Sequence, residues 1–180
     1  MNKSGYISGI ILGTGIWLVA APVSFGQNQE PSKLVNQRYQ FQEAERALKQ
    51  GRISRYRRLE NQLRDYPLHP YLEYAELTRR LGKTQPGEVK SFLKENADSP
   101  LAVRLQSRWL RSLARQGQWQ LLVDNFNSTQ NRDMLCSYAT ALLKVGEPQR
   151  AYAIIEGLWL TGRSLPRRCD TPIKAWKQAG

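Results

Sequence analysis

From residue 39 onwards apolar side chains recur every three or four positions, and Gly or Pro interrupts the pattern at short distances. Phe41, Ala44 and Leu48 precede Gly51, and Ile53, Tyr56, Leu59 and Leu63 precede Pro67, so the first two segments predict a helical hairpin. Further helices are expected from Tyr71 to Leu81 before Gly82, and from Pro86 to Asn96 around Val89, Phe92 and Leu93. The clearest runs from Leu101 to Arg115: Leu105, Trp109 and Leu113 continue the stripe begun at Leu101, Ala102, Val103 and Leu110 widen it, and Gly117 ends it. A short helix over Trp119–Phe126 follows, then longer ones over Asn131–Lys144 and Pro148–Leu160, closed by Gly146 and Gly162, and a last short one over Thr171–Lys177. Proline opening a helix and glycine just past its end are the expected punctuation.

No strand-like alternation of useful length interrupts the series, so the fold is expected to be all-α. Short helices with brief connections stack as antiparallel hairpins, the logic of an α-superhelix or solenoid, with a compact bundle as the alternative. There is no strict repeat, although Val145–Trp159 has the small and large apolar spacing of half a tetratricopeptide unit.

The first residues read differently. Lys3 precedes an apolar run from Ile7 to Ala20, and Ser24 and Gly26 flank Phe25, the order of a secretory signal peptide over residues 1–26 cut before Gln27. A cut at Ala21 would leave Pro22 after the bond. A retained single-span anchor is the competing reading, but the apolar stretch falls short of the ~20 residues a span needs. Residues 27–38 are polar and read as a flexible leader, which leaves residues 39–180 as one helical domain. About 154 of the 180 residues remain after cleavage, enough for one real core.

Charge narrows the partners. The formal net charge is +12, from 27 Lys and Arg against 15 Asp and Glu, so an acidic partner is expected. Export to the periplasm would direct that charge to wall carboxylates, lipopolysaccharide phosphates or an acidic protein, not to nucleic acid. Cys136 and Cys169 are the two cysteines, and in an oxidising compartment they read most simply as one disulfide, with two buried free thiols as the alternative. Together with the single His69 they fall short of the four ligands of a structural zinc site, so no metal or other cofactor is expected.

Three segments carry a family resemblance: Asp65-Tyr66-Pro67-Leu68-His69-Pro70-Tyr71-Leu72-Glu73-Tyr74, then Leu105-Gln106-Ser107-Arg108-Trp109, then Leu158-Trp159-Leu160-Thr161-Gly162-Arg163-Ser164 leading to Cys169-Asp170. In order and spacing, along nearly the whole mature chain, they resemble the N-terminal superhelical region of soluble lytic murein transglycosylases. The resemblance implies a U-shaped helical scaffold for glycan strands, with cleavage left to a separate lysozyme-like domain that this chain lacks. It also implies a Cys136–Cys169 disulfide. Glycan cleavage in that family depends on a Glu followed by Ser, a pair found nowhere in the sequence. With no nucleophile elbow, phosphate loop or metal motif either, no catalytic residue is nominated.

In physical terms, Pro67 and Pro70 stiffen a turn, His69 is a residue of that turn, and Trp109 and Trp159 are expected to pack on apolar helix faces. Arg104, Arg108, Arg111 and Arg115 fall at intervals of four, three and four, within a narrow arc largely opposite the apolar face. This strip is the candidate contact for an acidic polymer, because guanidinium forks carboxylates and murein stem peptides carry them. The bland alternative is a solvated helix face. The expected function is a periplasmic scaffold that binds peptidoglycan strands or a wall-active protein without cutting glycan and without a membrane span after signal removal. A tetratricopeptide-like interaction module and a truncated fragment of a full-length transglycosylase are the alternatives.

Overall fold

A computed structural model describes residues 31–179, and the expected signal peptide over residues 1–26 lies outside the described residues. Among the described residues nine α-helices follow one another: α1 (Pro31–Lys49), α2 (Ile53–Gln62), α3 (His69–Arg80), α4 (Pro86–Glu95), α5 (Pro100–Gln116), α6 (Trp119–Asp124), α7 (Arg132–Lys144), α8 (Pro148–Trp159) and α9 (Asp170–Ala179). A single 3-10 turn, Arg167–Cys169, precedes α9. There is no strand among the described residues, and none of their helices is long and apolar enough to cross a membrane.

Local chemistry places the helix ends where the sequence pattern predicts them. Pro86, Pro100 and Pro148 open α4, α5 and α8, where a missing N–H costs nothing. Ser99 Oγ accepts from the Leu101 amide at 3.2 Å, and Asn131 Oδ1 accepts from the Met134 amide at 3.0 Å, each satisfying a donor the first turn leaves orphaned. Gly117 ends α5 in the left-handed region at φ 67°, and its N–H bonds back to the Ala114 carbonyl. A Cβ there would touch only the Trp119 ring, 3.7 Å away, so Gly117→Ala meets the backbone penalty alone. Urea unfolding of that variant is expected to show a loss of about 1 kcal/mol.

The largest boundary difference from expectation is at the start of α1, while α3, α6 and α9 differ by one or two residues. The leader foreseen over residues 27–38 is helical from Pro31, while residues 27–30 lie outside the described residues. This first half of α1 has no apolar stripe to read: Leu34, Val35 and Tyr39 are exposed, and the buried residue is Gln37. The anchor is polar instead, with Asp65 accepting from Gln37 at 2.9 Å and pairing with Lys33 at 2.6 Å.

The helices pack as a two-layer array. Each finds its principal partners next or next but one along the chain, and the odd-numbered helices touch in succession, α1 on α3, α3 on α5, α5 on α7 and α7 on α9. The even-numbered helices pack mainly on odd ones. This one-dimensional neighbour pattern is that of stacked antiparallel hairpins in a superhelix, as expected, and not of a bundle around one axis. Two apolar clusters result. Ala44, Ala47, Leu48, Tyr56, Leu63 and Leu72 join α1, α2 and α3, and a larger cluster centred on Leu105, Trp109 and Leu142 joins the later helices. Helix α3 gives Leu72 to one cluster and Leu77 to the other, so it is the joint between them. Cys136 of α7 is disulfide-bonded to Cys169 in the turn before α9, which ties the end of the array to its most buried helix.

Candidate functional site

Helix α5 positions the arginine strip. Its inner face buries Leu101, Leu105, Trp109, Leu110 and Leu113, which fixes the rotation of the helix, and the opposite face leaves Arg104, Arg108, Arg111 and Arg115 exposed. Arg108, Arg111 and Arg115 line a groove of about 690 Å3 between α5 and the end of α3, where Arg79 and Lys83 face them. Arg104 lies outside this groove. Five cationic side chains therefore converge, and no carboxylate lines the groove with them. Among the described residues Arg79 alone of the five forms an ion pair, with Glu76 at 3.6 Å, while Arg108 sits 6.0 Å from the centre of the Tyr74 ring. The groove also contains Thr78, whose buried hydroxyl has no hydrogen-bond partner among the described residues.

On the other flank of the arginine ridge a second cleft, of about 440 Å3, opens between α5 and the loop after α6. Ala102, Val103 and Leu110 give it an apolar wall, while Gln106, Ser107, Asn127, Ser128 and Thr129 offer amides and hydroxyls. Arg111 lines both openings. Charge, amide and hydroxyl chemistry are thus continuous across one helix.

No family model matches the chain. The soluble lytic murein transglycosylase of Escherichia coli K12 is 29% identical over 181 residues, covering 100% of this chain and 27% of that enzyme. The soluble lytic murein transglycosylase of Salmonella typhimurium is 32% identical over 170 residues, covering 92% and 26%. Among solved structures, the 70 kDa soluble lytic transglycosylase of E. coli superposes with a TM-score of 0.75 at 31% identity, over 82% of this chain and 24% of that one. The chain is homologous to soluble lytic murein transglycosylases. An inactive mutant of the Pseudomonas aeruginosa lytic transglycosylase matches at 39% identity with a TM-score of 0.68, over 78% of this chain and 23% of that one. This transglycosylase-related chain spans about a quarter of the length of the relatives it matches.

Helix α3 separates two fields in this transglycosylase relative. Its Arg79 side faces the cationic groove, and its other side lines a cleft of about 290 Å3 with α2 and α4. That cleft holds Glu60, Glu73, Glu76, Glu88 and Glu95 against the single Arg80. Arg80 is committed: its Nε donates to both oxygens of Glu76 at 2.7 Å, and its guanidinium also pairs with Glu88. Burial lifts the Glu73 carboxyl above the usual carboxylate range, against the pull of His69, and the charges of Glu60 and Glu95 push the same way as burial.

Two expectations about single residues change. His69, expected as a residue of the turn, is the first residue of α3, with Nε2 2.6 Å from Glu60 Oε1 and Nδ1 3.9 Å from Glu73 Oε2. Glu73 comes to i+4 on the same helix because α3 begins two residues before the expected Tyr71, and Glu60 reaches His69 only because the turn folds α2 back beside α3. Trp159, expected to pack like Trp109, is 47% exposed whereas Trp109 is 2% exposed. It lies off the stripe of Ala151, Ile155 and Leu158, and meets the Trp176 ring at 6.0 Å and Lys177 at 4.6 Å instead.

Proposed function

We propose that this chain is an exported, periplasmic helical scaffold that binds murein strands and leaves glycan cleavage to another domain or protein. The observation that carries the proposal is the groove between α3 and α5, where Arg79, Lys83, Arg108, Arg111 and Arg115 converge with no carboxylate among them. Basic residues at this density repel one another, and an acidic ligand relieves the repulsion. Guanidinium groups fork carboxylates in two parallel hydrogen bonds, and the stem peptides of murein present carboxylates at intervals along a sugar chain. The amide and hydroxyl cleft that shares Arg111 suits the neutral part of such a strand. Homology to enzymes named for murein gives the ligand class its support. The export reading rests on residues 1–26.

The test is cosedimentation of the oxidised chain with purified murein sacculi at low and moderate salt. The chain is expected to pellet, and less so as salt screens the charges. Replacing Arg79, Arg108, Arg111 and Arg115 together by Gln is expected to weaken retention about tenfold, equivalent to about 1.4 kcal/mol. Arg104→Gln, outside the groove, is expected to stay within about twofold of the parent. A folded chain that remains in the supernatant at low salt sinks the wall-binding reading and leaves a protein ligand as the target.

A further inference from the structure

The acidic cleft lies across α3 from the cationic groove, and its chemistry is opposite to that of the chain as a whole. In a protein of net charge +12, five glutamates line one small opening with one arginine among them. Among the described residues no Lys or Arg forms an ion pair with Glu60, Glu73 or Glu95; Arg80 is shared by Glu76 and Glu88, and Arg79, from the other side of α3, reaches only Glu76, at 3.6 Å. Arg64 draws on Glu73 only through space, and its guanidinium is hydrogen-bonded to Asn61. Negative charge is therefore concentrated and largely uncompensated where the two helices meet.

The chain's only histidine stands at the edge of this field. His69 and Glu73 are four residues apart on the first turns of α3, which puts both side chains on one face. Glu60 approaches from α2. One ligand atom from each of the three lies within 4.8 Å of the others, and all three residues are partly buried. We propose that Glu60, His69 and Glu73 form a binding site for a divalent transition-metal cation, with Zn2+ the best match. One imidazole nitrogen and two carboxylate oxygens are a nitrogen and oxygen set that zinc accepts at about 2.0 to 2.2 Å, which in tetrahedral geometry sets the ligand atoms about 3.4 Å from one another, a spacing that modest rotamer changes reach from the present arrangement. Water from the adjoining cleft completes the shell. Imidazole favours zinc over Mg2+ and Ca2+, which prefer all-oxygen shells. Glu76, Glu88 and Glu95 add a long-range negative potential that holds the cation without touching it.

The set also makes the test specific. Cys136 and Cys169 are joined, so no thiol competes, and His69 is the sole imidazole. Calorimetric titration of the untagged, oxidised chain with ZnCl2 is expected to give one site per chain, with Mg2+ giving none. His69→Gln and Glu60→Gln are each expected to weaken zinc binding at least about tenfold, the size of effect seen when a single metal-shell partner is lost. The His69 imidazole resonances of the parent are expected to shift on stoichiometric zinc, and its thermal midpoint is expected to rise, as mass action requires of a ligand that binds only the folded state. Circular dichroism verifies that each variant is folded, and Glu45→Gln, a site outside the cleft, serves as the control for general charge loss. Zinc binding that survives in both His69→Gln and Glu60→Gln, or a parent that binds no zinc at micromolar concentration, overturns the proposal. Neither result bears on murein retention, which is read on the opposite side of α3.

Discussion

Removing the Cys136–Cys169 disulfide is expected to lower the unfolding free energy by about 3 to 4 kcal/mol, the chain-entropy value for a loop of this size. The bridge spans 33 residues, and both cysteines are fully buried. Its location determines what that loss affects. Helix α7 packs on α5, α6, α8 and α9, and the bridge keeps the 3-10 turn and the start of α9 against it. Without the bond, the last hairpin can separate from the array at a lower cost than whole-chain unfolding. Urea or thermal unfolding of the oxidised chain beside Cys136→Ala/Cys169→Ala measures the difference, and a fall of about 10 °C in midpoint corresponds to it for a domain of this size. The cationic groove is built from α3 and α5, so the reduced or doubly substituted protein is expected to keep its murein retention below the transition. Equal midpoints for oxidised and bridge-free protein would show the bond to be without effect on stability.

Most of the helical array is legible in the sequence because its signals are local. Pro86, Pro100, Gly117, Gly146 and Pro148 mark ends through the covalent properties of one residue, and the stripe from Leu101 to Leu113 reads directly as a buried face. The start of α1 is not legible, since Gln37 and Lys33 anchor it through Asp65, some thirty residues further on, and hydropathy carries no trace of a polar anchor. The same limit divides the candidate site. The helical spacing of Arg104, Arg108, Arg111 and Arg115 is a local pattern, and it identifies three members of the groove. Arg79 and Lys83 join them only through the packing of α3 on α5, and Arg104 drops out because that packing covers one side of the ridge and not its first turn. His69 and Glu60 likewise meet through a turn whose direction no spacing rule supplies.

Trp109→Ala is expected to cost about 3 to 5 kcal/mol, the range for deleting a buried aromatic side chain. Trp109 is 2% exposed on the inner face of α5, within the larger apolar cluster, and α5 is gripped there by α3, α4, α6 and α7. Trp159→Ala, at a half-exposed ring that touches Trp176 and Lys177, is expected to cost less than about 1 kcal/mol. The pair separates stability from ligand geometry. Emptying the Trp109 site removes the wedge that sets the rotation of α5, and Arg108 and Arg111 lie within one helical turn of it. Retention on sacculi, measured at a temperature where Trp109→Ala is still folded, is therefore expected to fall with the loss of groove alignment. Trp109→Phe, which restores most of the volume, is expected to recover both stability and retention in part. If retention instead follows only the charge of the arginines and ignores the filling of the core beneath them, the groove acts as a diffuse basic surface and not as a site shaped by α3 and α5.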